Sequence, residues 1–121
     1  MRRALGIAAL ALAGVVIGCA SVESRGRTVY DLHCVMCHGE SGRGDGYFAD
    51  QLLSLPPDLT RLARENGGTF PATRVALSIT GEGRDAHFSG AMPDFSDLDV
   101  SGIAPDSQLE AVVAYLESIQ Q

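Results

Sequence analysis

Apolar residues recur at helical spacing near the end of the chain. They would occupy one face of a helix and are Leu109, Val112, Val113, Leu116 and Ile119. Just before them, Ser107 and Glu110 have the spacing of a capping box, in which each side chain binds a backbone N–H at the start of the helix. The pattern predicts an amphipathic C-terminal helix capped at Ser107.

A second helical pattern covers residues 24–37, with Ser24 in the position of a cap. Its apolar positions are Val29, Leu32 and Val35. Gly26 lies inside this helix, although a glycine there costs up to about 1 kcal/mol relative to alanine. Such a glycine indicates close packing against its backbone. We expect Tyr115 of the C-terminal helix to lie there.

The middle of the chain has shorter patterns. Residues 47–55 and 58–65 each predict a helical turn or two, and Pro56-Pro57 separates them because proline does not fit inside a helix. Residues 70–80 predict a third short helix, and residues 81–104 predict a long ordered loop. Together the patterns predict an all-α fold of three to five helices, with the N-terminal and C-terminal helices crossing.

The first 18 residues have the layout of a signal peptide. Arg2 and Arg3 precede an uncharged apolar run over residues 5–17, which is too short to span a bilayer comfortably. We expect residues 1–18 to be removed on export. The remainder is long enough for one small domain.

Cys19 is an odd cysteine in an exported chain, and such a thiol is usually modified or reactive. It ends the stretch Val16-Ile17-Gly18-Cys19, which resembles a bacterial lipobox, where the signal is cut before a cysteine that carries a diacylglyceryl group. We therefore expect a lipid on Cys19 that anchors the protein to a membrane, a tether over residues 19–24 and a folded domain over residues 25–121. The alternative is ordinary cleavage after Ala20, which would give a soluble exported protein.

The amino-acid composition limits the kinds of partner that the protein can bind. The nine basic residues are all arginines, and without the two in the signal segment seven remain against fifteen acidic residues, a net charge of −8. Such a surface excludes nucleic acid as a partner. It favours a partner protein with a basic patch, if charge steers the encounter, and otherwise reflects solubility.

The stretch Cys34-Val35-Met36-Cys37-His38 matches the attachment signature of a c-type haem. Two thiols at this spacing can form thioethers with one porphyrin, and the His38 imidazole then lies where it can bind the iron. We expect one covalent haem c and a role in electron transfer. A thioredoxin-like dithiol would need a preceding strand. A zinc site would need further ligands, for which the chain offers only His33, His87 and Cys19.

The second axial ligand of such an iron should come from the predicted loop. Met92 lies there and is followed by Pro93, which stiffens the local backbone. Met36 lies within the attachment motif and is unsuited to the opposite face of a haem. We predict Met92 as the ligand, with His87 as the alternative and an iron open to gas ligands as the third case.

These features resemble a class I monohaem cytochrome c of the bacterial periplasm. The resemblance covers essentially the whole chain after the signal segment. It is carried by Gly26, Tyr30 and Tyr115, by the stretch from Cys37-His38-Gly39 to Gly44-Asp45-Gly46, by Pro57-Asp58-Leu59-Thr60, by Met92-Pro93 and by Ala114-Tyr115-Leu116. The chain contains no lysine, and in this it differs from members that dock through a ring of lysines.

The resemblance implies further roles. The Pro57 carbonyl would accept a hydrogen bond from Nδ1–H of His38, and Arg84 would neutralise a haem propionate. The protein would be a periplasmic one-electron carrier between a donor and an acceptor redox protein, not an enzyme with a small-molecule substrate. The alternatives are a haem-based gas-binding or sensing protein with a labile Met92, and a haem subunit of a larger dehydrogenase or reductase.

Overall fold

The computed structural model describes residues 21–85, 88 and 90–121. These residues form five α-helices and two short 3-10 helices, and they contain no strand. The α-helices are α1 (Ser21–His33), α2 (Val35–His38), α3 (Leu62–Glu65), α4 (Ala72–Thr80) and α5 (Pro105–Ser118), and the 3-10 helices are Ala49–Gln51 and Leu59–Arg61. This architecture confirms the predicted all-α fold. Within the described ranges, no helix has the length and apolar character needed to cross a membrane.

The first and last helices make the most extensive contact between any two described elements. Gly26 of α1 permits this approach, because a methyl group there would overlap the backbone carbonyl of Ala111 and lie 2.7 Å from Cβ of Tyr115. The predicted contact between Gly26 and Tyr115 is therefore confirmed. It sets the distance between α1 and α5.

The core forms around this contact. Val29, Tyr30 and Val112 are almost fully buried there. The ring of Tyr30 lies 5.3 Å from that of Tyr115, and its hydroxyl donates a 2.6 Å hydrogen bond to the Gly39 carbonyl. Burial raises the pKa of the Tyr30 hydroxyl, so this donor stays protonated in neutral solution. The bond attaches the helix pair to the residue that follows α2.

The start of α1 differs from the prediction. Residues 21–24, predicted as part of a tether, are helical, and Ser24 is inside the helix rather than its cap. The tether itself and the lipid on Cys19 stay predictions. The Ser24 carbonyl accepts a hydrogen bond from the Thr28 hydroxyl. Glu23 favours a helix here, because a carboxylate in the first turn interacts favourably with the positive end of the helix dipole.

The end of α1 also differs, because the predicted single helix over residues 24–37 is divided at Cys34. This residue has a φ of −116°, which bends the chain between α1 and α2. The Cys34 N–H still donates to the Tyr30 carbonyl at 2.8 Å, and the His38 N–H donates to the Cys34 carbonyl at 2.9 Å. The bend is therefore hydrogen-bonded on both sides.

The predicted capping box of the C-terminal helix is wrong. α5 begins at Pro105, with Ala104 before it and no side-chain cap. The Ser107 hydroxyl lies inside the helix and donates to the Ala104 carbonyl at 2.9 Å. Proline suits the first turn because its missing N–H would have no partner there, so the helix starts before the position that the Ser107 and Glu110 spacing indicates.

Gln108 is buried completely, and nothing in the pattern of the sequence singled it out. Its Oε1 accepts a 3.1 Å hydrogen bond from the Val100 N–H, and its Nε2 donates to the carbonyls of Val100 and Ile103 at 3.3 and 2.9 Å. One amide thereby holds the end of the preceding loop against α5.

The short elements follow the predicted order. The 3-10 helix Ala49–Gln51 falls within residues 47–55, and α4 falls within residues 70–80. Gly81 ends α4 in the left-handed conformation, with a φ of 88°. The described residues between 81 and 104 contain no helix or strand, in agreement with the predicted loop.

The substitution Gly26→Ala should lower the free energy of unfolding by about 1–3 kcal/mol or more, because α1 and α5 would have to move apart. Urea unfolding followed by far-UV circular dichroism measures this. Gly90→Ala is the matched control, since an added Cβ there meets nothing within 4 Å, and it should change stability by less than about 0.5 kcal/mol. Equal effects of the two substitutions would contradict the packing described for Gly26.

The substitution Gln108→Leu should cost about 1–3 kcal/mol, because it leaves buried backbone groups at Val100 and Ile103 without partners. The same urea titration measures it. Gln51→Leu, at an exposed position, provides the control and should have little effect. A Gln108→Leu protein as stable as the parent would show that these hydrogen bonds contribute nothing.

Candidate functional site

A cavity of about 380 Å³ lies between α1, α2, α4 and the loop before α5. Its size falls in the range of small-ligand and cofactor sites. The sequence predicts six residues for the haem site. Five of them line this cavity, and these are Cys34, Cys37, His38, Pro57 and Met92. Most of the remaining wall is apolar and includes Leu59, Leu62, Val75, Ile79, Phe95 and Leu116. Thiols, an imidazole and a thioether thus face one apolar space.

The two cysteines of the motif are half-buried free thiols. Burial, with a smaller effect of the neighbouring Cys37, raises the pKa of Cys34 to about 12. Reactive dithiols have a lowered pKa, because the thiolate is the nucleophile. The environment of Cys34 therefore argues against the thioredoxin-like alternative.

His38 is buried at the end of α2, and its Nδ1 lacks a well-formed hydrogen bond. Burial lowers the pKa of this imidazole, while the nearby Pro57 carbonyl opposes the shift. The ring is consequently neutral at neutral pH and keeps a lone pair for a metal ion. A buried neutral imidazole beside two thiols fits the predicted haem site.

The glycine-rich stretch after His38 brings Pro57 to the imidazole. The Gly44 N–H donates to the His38 carbonyl at 2.8 Å, and the Leu59 N–H donates to the Gly42 carbonyl at 2.7 Å. Gly44 has a φ of 79°, and a side chain there would collide with the carbonyls of Pro56 and Pro57. The turn therefore needs glycine in order to place Pro57 behind His38.

Met92 is half-buried and packs against the core. Its carbonyl accepts a 2.8 Å hydrogen bond from Nη1 of Arg84, and the Pro93 carbonyl accepts one of 2.6 Å from Nη2. Met36, by contrast, is 45% exposed and is not part of the cavity wall. Met92 therefore lies at the cavity and Met36 does not, and the ligation by Met92 stays a prediction.

Arg84 lies behind the Met92 segment rather than in the wall of the cavity. Three of its donors bind backbone carbonyls, those of Ser78, Met92 and Pro93. Its role toward a propionate stays a prediction. Another arginine, Arg74 of α4, does line the cavity, and no motif in the sequence marked it.

His33, which the sequence offers only as a possible further ligand of a zinc site, lines the cavity. Its Nε2 is buried without a hydrogen bond, and its ring lies 5.7 Å from that of Phe95 in an edge-to-face arrangement. The alternative ligand His87 and the predicted lipid site Cys19 lie outside the described residues, as do residues 1–18.

Comparison with known proteins gives one result that bears on this site. The family model described as Cytochrome c matches residues 23–120. Searches of curated proteins and of solved structures give no match. The matched range covers all five α-helices except the first two residues of α1, and it includes the complete cavity wall.

The family carries a covalently attached haem c and transfers electrons, which accounts for paired thiols, a neutral imidazole and a thioether around one apolar cavity. The helical fold and the matched residues agree on the same conclusion. The chain therefore belongs to the cytochrome c family, and it is an electron carrier with a covalent haem c.

Proposed function

We propose that this cytochrome c is a closed one-electron carrier in which His38 and Met92 are the axial ligands and Cys34 and Cys37 form the thioethers. The observation that carries the proposal is that all four side chains line a single cavity. Haem iron would supply the reversible change between the ferric and ferrous states. The residues of the chain hold it, orient its ligands and keep water away.

His38 is suited to the proximal position. Its ring is buried and neutral, and the Pro57 carbonyl is close enough to act on it. A carbonyl at Nδ1 fixes the tautomer, leaves Nε2 for the metal and raises the basicity of the ligand. Pro57 would thus orient the imidazole without touching the iron.

Met92 is suited to the distal position because its backbone is fixed. The two hydrogen bonds from Arg84 hold the carbonyls of Met92 and Pro93, and the Phe95 N–H donates to the Ile79 carbonyl of α4 at 3.0 Å. A thioether is a soft ligand that favours the ferrous state and raises the reduction potential. A fixed ligand also limits the rearrangement that accompanies each electron transfer.

The partners proposed here are a donor and an acceptor redox protein, and the carrier transforms no substrate of its own. The acidic charge of the chain favours partners with basic surfaces, whose encounter weakens as salt increases. We further propose export to the periplasm and a lipid anchor on Cys19. Cys19 lies two positions before Ser21, at which the described part of α1 begins, so such an anchor would be close along the chain to this helix.

Replacement of the distal ligand should open the iron. Met92→Ala should let the reduced protein bind carbon monoxide and should lower the reduction potential, because a soft ligand is lost. Optical spectra of the oxidised and dithionite-reduced haem protein, with and without carbon monoxide, measure the first effect, and a redox titration measures the second.

Met36→Ala is the control for this experiment, since Met36 lies outside the cavity wall, and it should leave both properties as in the parent. A Met92→Ala protein that keeps the parental potential and still refuses carbon monoxide would rule out Met92 as the ligand. A parent protein that itself binds carbon monoxide would favour the gas-binding alternative.

Membrane attachment should depend on Cys19. The full chain, expressed with its N-terminal segment in a bacterium with a haem-attachment system, should fractionate with membranes, resist a salt wash and be released by detergent. Cys19→Ser should move the protein to the soluble periplasmic fraction with an unchanged haem spectrum. A parent protein already soluble in the periplasm would instead support cleavage after Ala20.

A further inference from the structure

Arg84 connects the end of α4 to the segment that carries Met92. Its Nε donates to the Ser78 carbonyl at 2.9 Å, while Nη1 and Nη2 donate to the carbonyls of Met92 and Pro93 at 2.8 and 2.6 Å. One planar side chain therefore holds two consecutive carbonyls on the segment and one on the helix.

The helix end makes this connection favourable. The last four carbonyls of an α-helix lack partners inside the helix and carry the negative end of its dipole. In α4 the Leu77 carbonyl accepts from the Gly83 N–H and the Ile79 carbonyl accepts from the Phe95 N–H, both at 3.0 Å. Arg84 supplies the donor for Ser78, between them, and adds a positive charge. The helix end and the ligand segment thus share one hydrogen-bonded unit.

The surroundings of the guanidinium strengthen these bonds. Arg84 is half-buried, and its guanidinium carbon lies 4.7 Å from the centre of the Phe88 ring. Phe88 also lines the cavity. A ring over the guanidinium limits the access of water to hydrogen bonds that are already charge-assisted. A lysine could not replace this arrangement, since an ammonium lacks the planar fork that reaches three carbonyls.

We propose that Arg84 is a positioning residue that keeps Met92 on the iron, and that losing it opens the iron before the domain unfolds. The inference rests on the proposed His38 and Met92 ligation. Arg84 acts here through the backbone of Met92 and Pro93, without contact with the iron.

The test uses the full haem-loaded chain with Arg84→Gln and Arg84→Lys. The methionine-to-ferric charge-transfer band is followed through a urea titration alongside far-UV circular dichroism, and carbon monoxide binding is measured without urea. Each charge-assisted hydrogen bond contributes about tenfold or more to an equilibrium constant. Both variants should therefore raise the open fraction at least about tenfold and lose the band at lower urea than the helical signal.

Two controls isolate the effect. Arg64 is an exposed arginine on α3, outside the cavity wall, so Arg64→Gln and Arg64→Lys should match the parent. Val112→Ala removes buried core volume between α1 and α5, away from the cavity. It should lower both urea midpoints together and leave their separation unchanged.

The outcomes separate the two proposals. Arg84 variants whose band and helical signal shift together, as in Val112→Ala, would reduce Arg84 to a structural role and overturn the inference. An Arg84→Lys protein that behaves as the parent would also overturn it, because charge alone would then suffice. If the parent shows the band, the proposed ligation stands in both cases. A parent without the band that binds carbon monoxide would overturn both proposals.

Discussion

The close approach of α1 and α5 at Gly26 is the contact on which the rest of the structure depends. It brings Tyr115 against Tyr30, and the Tyr30 hydroxyl in turn holds the Gly39 carbonyl just beyond the attachment motif. A wider separation of the helices would move Tyr30 and, through it, the end of α2. The position of His38 is therefore set by a residue twelve positions earlier that has no side chain.

The cavity, together with the contact between α1 and α5, makes up the interior of the domain. Its wall includes residues of α1 and α5, but the other described helices share few direct contacts with one another. A small domain buries a limited fraction of its surface, and a covalently held apolar macrocycle adds packing area that the chain lacks. The haem of this family thus serves stability as well as electron transfer, and haem attachment and folding should be coupled.

The sequence predicts most of the residues of the site and little of what supports them. Cys34, Cys37 and His38 are found by their spacing, because thioether chemistry requires neighbours along the chain. Met92 is predicted as the distal ligand because the chain offers few other residues that could bind the iron as a soft ligand. The backbone contacts of Arg84 could not be predicted, since any loop arginine offers the same donors and only the fold brings the carbonyls to them.

Local patterns also fail where a neighbour changes the geometry. Ser107 has the spacing of a cap, but Pro105 starts the helix two residues earlier, and the hydroxyl then binds the Ala104 carbonyl inside the first turn. The role of buried Gln108 could not be predicted from local sequence either. Its side chain binds backbone groups of Val100 and Ile103, which the loop brings to it only in the folded state. In this domain the residues that attach the haem are neighbours along the chain. The rigidity of the Met92 segment depends instead on polar side chains that bind backbone groups distant in sequence. Substitutions of those side chains should therefore change how firmly the iron is held before they change whether haem is attached.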